Sequence, residues 1–107
     1  MPKTHPRPTV AGNRIELWGR VLGEPELRVT PAGTAILRIM VDCAEPSGEL
    51  AMAVFMTGES AERARRHLKA GSQVKVAGSV RATRRRVKSG LVATAYEVMA
   101  ASIAAED

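Results

Sequence analysis

Three stretches of this chain carry a period-two pattern, the middle one also rich in β-branched and aliphatic residues. They are Ile15–Val21, Thr34–Asp42 and Gln73–Ala82. Period-two alternation is the signature of a strand with one buried face. A chain that must hide one face of several short strands closes them into a sandwich or a barrel.

Before Asn13, prolines at positions 2, 6 and 8 break up a polar segment, so residues 1–12 are expected to form a flexible tail ahead of a domain over 13–103 and a short end, 104–107. Gly19 inside the first strand suggests a bulge or sharp bend, and Gly23-Glu24-Pro25 is expected to end that strand. Residues 27–42 read as a hairpin around Thr30-Pro31-Ala32-Gly33, with Pro preset at the second turn position. Ala44–Gly48 reads as a short loop and Glu49–Thr57 as a third extended segment. The period then changes. Ala61, Ala64 and Leu68 recur at helical spacing, with Thr57 or Ser60 as N-cap candidates and Gly71 as the C′ residue. The spacing predicts a helix of about three turns, near the average. Gln73–Ala82 is the fourth strand, Thr83–Gly90 a basic loop, and Leu91 to about Ile103 the fifth strand.

Three strands, one helix and two strands is the order of the OB-fold, an all-β five-stranded barrel with its helix between strands three and four. That fold binds oligonucleotides or oligosaccharides on its second and third strands and on the loops after strands one and four. One domain is what 107 residues allow, and a hydrophobic share of 45% is enough to give it a core.

Charge points the same way. Residues 1–62 carry 6 Lys/Arg against 8 Asp/Glu, whereas residues 63–107 carry 10 against 3, and no acidic residue lies between Arg63 and Tyr96. Positive charge gathered in one region attracts a polyanion. Arg81, Arg84, Arg85, Arg86 and Lys88 put five cations into eight residues, able to follow a phosphate backbone. Arg28 and Arg38 lie on the hairpin of the expected binding face, and Lys75 lies on the fourth strand. Aromatics are only 3%, namely Trp18, Phe55 and Tyr96. Phe55 shares a phase with Ala51 and Ala53, which makes it either a stacking residue or a core one. Trp18 points away from Ile15 and Leu17, so it stacks a base or lies in a subunit interface, the latter being the expected place.

Other chemistries find no support. His5, His67 and the lone Cys43 cannot assemble a usual zinc site, and no cofactor motif is present. Glu59, Glu62 and Asp42 do not pair into an acid/base set, so no catalytic residue is expected. The longest apolar runs fall well short of the roughly 20 residues of a membrane span. A lone cysteine and the absence of a secretion-signal core lead to the expectation of a cytoplasmic protein.

Asn13-Arg14-Ile15-Glu16-Leu17-Trp18-Gly19-Arg20-Val21 resembles the opening strand of the bacterial single-stranded DNA-binding proteins. The block Pro25–Ala35, with its Thr-Pro-Ala-Gly-Thr-Ala turn, and the Lys69-Ala70-Gly71-Ser72-Gln73-Val74 junction are similar to that family as well. The resemblance covers about residues 13–103. It implies an OB-fold that binds single-stranded DNA and assembles into a homodimer or homotetramer, with first strands paired across subunits. Two departures stand out. Where the family places stacking aromatics, this chain has Glu49–Ala53 and Thr83–Arg86, and it ends at Ala104-Ala105-Glu106-Asp107 where the family carries a linker and acidic tip. In this economy it resembles the primosomal replication protein N (PriB-like) family, dimers that bind through basic residues and assist replication restart beside a helicase. The expected function is single-stranded DNA binding in replication, restart or repair, mainly by phosphate contacts and without strong sequence preference. The alternatives are a primosome interaction module whose main ligand is a helicase or other protein, and an RNA-binding OB domain.

Overall fold

In the computed structural model, which describes residues 12–43 and 50–106, five strands and one helix follow in the expected order. They are β1 (Ile15–Val29), β2 (Ala35–Asp42), β3 (Ala51–Thr57), α1 (Glu59–Arg66), β4 (Gln73–Arg86) and β5 (Val92–Ala105). The strands close into a barrel in the order β1-β2-β3-β5-β4, with β3 and β5 parallel and the other pairs antiparallel. This is the OB-fold. The expected tail, residues 1–12, lies outside the described residues except for Gly12, and so does the expected Ala44–Gly48 loop.

The alternating phase sets which side chains fill the barrel. Leu17 and Val21 of β1, Leu37, Ile39 and Val41 of β2, and Val54 and Met56 of β3 point inward. Val74 and Val76 of β4 and Val98 of β5 complete the ring, and Ala61 and Leu68 join it from the helix and the residues after it. Each fully buried Val, Leu or Ile contributes about 1.5–3 kcal/mol, so aliphatic side chains and Met56 build this core without aromatics.

Two junctions explain the motifs that carry the family resemblance. In the hairpin turn, Gly33 N–H donates to Thr30 O at 2.8 Å, Thr30 N–H donates to Thr34 O at 2.9 Å, and Thr34 N–H donates to Thr30 Oγ1 at 3.1 Å. Gly33 has φ +88, a left-handed value that glycine adopts without penalty. After the helix, Ser72 is buried and its hydroxyl accepts from Lys69 N–H at 3.0 Å. The flanking backbone bonds Gly71 N–H to Val21 O (2.8 Å) and Val21 N–H to Ser72 O (2.9 Å) tie this turn to β1.

Several boundaries differ from expectation. Gly23-Glu24-Pro25 does not end the first strand; β1 runs on to Val29, and the β1–β2 register shifts between Leu22 and Glu26. Gly19 stands instead where β1 passes from β4 to β2, since Arg20 pairs with both Gln73 and Asp42. The helix is shorter, 8 residues from Glu59, and its N-cap is Gly58, with no side-chain cap. The Ser60 hydroxyl donates to Thr57 O at 3.1 Å instead of capping, and Gly71 lies in the following turn. Most consequential, Thr83–Arg86 is strand and not loop. β4 pairs with β5 through Arg84–Thr94, Arg85–Ala93 and Arg86–Val92.

Candidate nucleic-acid interface

The outer faces of β2 and β3 converge on Phe55. Arg38 stands directly opposite it in the β2–β3 register, and Arg28 stands opposite Ile36 across β1–β2. Glu26, Arg28, Ile36, Arg38 and Phe55 line one shallow depression. From the other side, β4 brings Arg81 over the ring, its guanidinium carbon 5.6 Å from the Phe55 centroid. Sequence positions 28, 38, 55 and 81 are thus gathered on one surface, on four different strands. Phe55 is half-buried and lies on this outer face, not among the core residues.

Beyond the barrel, β4 and β5 continue as a two-stranded ribbon. β4 leaves β1 at Gly78, and β5 pairs with β3 only from Glu97 to Met99. The ribbon tip repeats the geometry of the first hairpin. Gly90 N–H donates to Val87 O and Val87 N–H to Leu91 O, both at 2.9 Å, with Gly90 at φ +86. Because Arg84–Arg86 form a strand, their side chains alternate. Arg85 falls on the Arg81 and Phe55 face, while Arg84 and Arg86 fall on the opposite face. Lys88 lies in the tip turn.

Carboxylates temper the barrel part of this surface but not the ribbon. Arg81 is paired with Glu97 at 2.7 Å, and Arg38 lies 4.0 Å from Glu26. Among the described residues, Arg28, Arg84, Arg85, Arg86 and Lys88 form no ion pair. Exposed and uncompensated guanidinium groups suit phosphate contact.

Lys75 is not part of this group. It lies on β4 below the register shift at Ala77/Gly78, and its ammonium sits 5.2 Å from the Trp18 ring centroid. Trp18 is exposed, at 57%, on the outer face of β1. Nothing in the sequence pattern marks Tyr96 or Glu97 as a site residue. Tyr96 shares a phase with the core residue Val98 and so reads as an inward side chain; only the departure of the ribbon from the barrel exposes it.

Over residues 12–105 the chain matches the model of the single-strand binding protein family. The chain belongs to that family. Family membership and the closed five-stranded barrel together make it a single-stranded DNA-binding OB-fold protein. Among curated proteins, none matches the chain. The described residues contain no cluster of His, Cys, Asp and Glu that could hold a metal ion, and no helix long and apolar enough to cross a membrane.

Proposed function

We propose that the protein serves DNA replication, restart or repair in the cytoplasm, holding single strands mainly through phosphate contacts and without strong sequence preference. The observation that carries this reading is the continuous outer surface running from Arg28, Arg38 and Phe55 past Arg81 to Arg85 on the ribbon. One aromatic among four cations favours charge over stacking, because stacking affinity accumulates per aromatic platform. Trp18, exposed on β1 beside Lys75, supports assembly through that strand into a homodimer or homotetramer.

A titration with oligo-dT and oligo-rU at several salt concentrations, with oligomer mass measured alongside, tests the proposal. The expected result is tight oligo-dT binding, a steep fall of affinity with salt, and little dependence on base sequence. Preference for oligo-rU would turn the reading to RNA.

The scarcity of aromatics on the binding surface favours a second reading, a PriB-like accessory whose main ligand is a helicase or other replication protein. Weak, salt-labile oligo-dT binding together with tight capture of a replication helicase would support it.

A further inference from the structure

We infer that the Tyr96 face of the β4–β5 ribbon is a second stacking platform, onto which a DNA strand held at Phe55 continues by crossing the ribbon. The inference rests on the single-strand reading above and extends it to a surface that reading does not use.

The register places Ala82 opposite Tyr96, Arg84 opposite Thr94 and Arg86 opposite Val92. These six side chains share one face of the ribbon, and Arg81, Thr83 and Arg85 share the other. Within the barrel, the phase of Tyr96 points to the core, where Val98 is fully buried. Outside the barrel the same phase leaves Tyr96 at 64% exposure, and its hydroxyl makes no hydrogen bond among the described residues. Val92, 56% exposed on the same face, extends Tyr96 into an apolar patch rimmed by arginines, the kind of surface that marks a binding site.

Charge decides what covers it. Arg84 is the diagonal neighbour of Tyr96, about 7–8 Å away between backbones and within reach of a long side chain. Arg86 follows one pair further out, and no carboxylate lies in the ribbon from Ser79 to Tyr96. A second copy of this chain docked symmetrically on the face would bring like charges together, which is costly. A polyanion with flat bases satisfies both features, phosphates meeting Arg84 and Arg86 while a base stacks on Tyr96. The path is short. Arg81 over Phe55 pairs with Glu97, the residue next to Tyr96, so only the thickness of the ribbon separates the two aromatic sites.

The test compares wild type, Tyr96→Ala and Tyr96→Phe on oligo-dT of about 5 and about 16 nucleotides, the range one OB-fold engages. The exposed position makes both variants compatible with folding. Tyr96→Ala is expected to weaken the longer oligonucleotide by ~5- to 150-fold, the loss of one stacked base, and to leave the shorter one unchanged. Tyr96→Phe, which keeps the ring, should match wild type on both. Photocrosslinking with 5-iodouracil oligonucleotides should give adducts at Tyr96 with the longer probe. If wild type binds and Tyr96→Ala is indistinguishable from it, the platform does not exist. Equal losses on both lengths would make Tyr96 part of the first site. A fall in oligomer mass of Tyr96→Ala without DNA would assign the face to a second copy. Wild type binding neither probe would overturn the single-strand reading itself, and this inference with it.

Discussion

Arg81 covers Phe55 while Glu97 holds Arg81. The guanidinium carbon lies 5.6 Å from the ring centroid, and both Nε and Nη2 are 2.7 Å from Glu97 Oε1. Glu97 is largely buried, at 14% side-chain exposure, so the pair is better fixed than an ordinary surface ion pair, for which about 0–1 kcal/mol is typical. The cation and the ring form one layered unit, and the proposed stacking of a base would use the part of the ring that this unit leaves open.

Removing the ring therefore removes a platform. Phe55→Ala should weaken oligo-dT binding by roughly 1–3 kcal/mol, measured by fluorescence anisotropy. Glu97→Gln should act in the opposite direction. It keeps the shape but removes the charge opposing phosphate, so affinity should rise and the salt slope should steepen by up to about 0.7, one added phosphate contact. Unchanged affinity in both variants would move the site away from Phe55.

The ribbon arginines should separate by face. Changing Arg84, Arg85 and Arg86 together to Ala should shrink the slope of log K against log salt by about 2, at roughly 0.7 per phosphate. Arg85→Ala alone should account for about 0.7 of this, on short and long oligonucleotides alike. Arg84→Ala with Arg86→Ala should account for the remainder only on oligonucleotides long enough to cross the ribbon. An unaltered slope in the triple variant would shift the contacts to Arg63, Arg65 and Arg66 of the helix.

The barrel was legible in the sequence because one face of each strand is buried, and burial writes a period of two. The ribbon was not. Thr83–Arg86 exposes both faces, so no apolar alternation marks it as strand, and four polar residues in a row read as loop. The remaining signal was the turn, Lys88-Ser89-Gly90, which repeats the Ala32-Gly33 geometry without its Pro. The continuity of β1 through Pro25 was hidden for a different reason. A proline in a strand interior argues against pairing, but here it falls within the Leu22–Glu26 register shift. The gathering of Arg28, Arg38, Phe55 and Arg81 was legible only in part, since it depends on the register of four strands.

Cys43 is half-buried beside Asp42, with its thiol donating to Val41 O at 3.7 Å. Burial first, and the neighbouring carboxylate second, push its pKa above the usual 9.0. Less thiolate means slower alkylation, so iodoacetamide at pH 8 should modify the folded protein more slowly than the urea-unfolded chain. The raised value also means that its contribution to stability is complete below the unfolded pKa and is lost as pH rises through the folded one, above pH 9. Equal rates in the folded and unfolded states would show the thiol to be unperturbed.

Gly78 and Gly33 should fail differently when changed to alanine. A Cβ on Gly78 would strike Met99 O and lie 2.9 Å from Ala100 Cα, both backbone, at the register shift from which the ribbon departs. Gly33→Ala meets open space and costs only its left-handed φ, about 1–2 kcal/mol. Gly78→Ala should cost 1–3 kcal/mol or more by overpacking, as a rough range. It should also weaken oligo-dT binding at temperatures where the protein remains folded, because it re-aims the ribbon. Urea unfolding and anisotropy on the two variants check this, and unimpaired binding in Gly78→Ala would mean that ribbon direction is immaterial.

Trp18 is expected to report on the proposed assembly. Its ring is 57% exposed on β1, five residues of β4 lie between its partner Lys75 and Arg81, and no cation of the Phe55 surface touches it. A large exposed aromatic away from the binding surface is expected to be covered by another subunit, since interfaces enrich Trp and their buried centres exclude water. As the sole tryptophan, it gives fluorescence from one site. Dilution through the dissociation range should shift its emission to the red, and saturating oligo-dT should quench it little. Trp18→Ala should lower the oligomer mass in light scattering while each subunit keeps its affinity for a short oligonucleotide. Lys75→Ala removes the cation stacked on the ring, a contact worth about 0.5–1 kcal/mol at an exposed site, and should shift dissociation in the same direction by a smaller amount. Strong quenching by oligo-dT, with no response to dilution, would make Trp18 a stacking residue. The Trp18 and Lys75 pair would then join the DNA surface, and the proposed subunit contact would lose its support on β1.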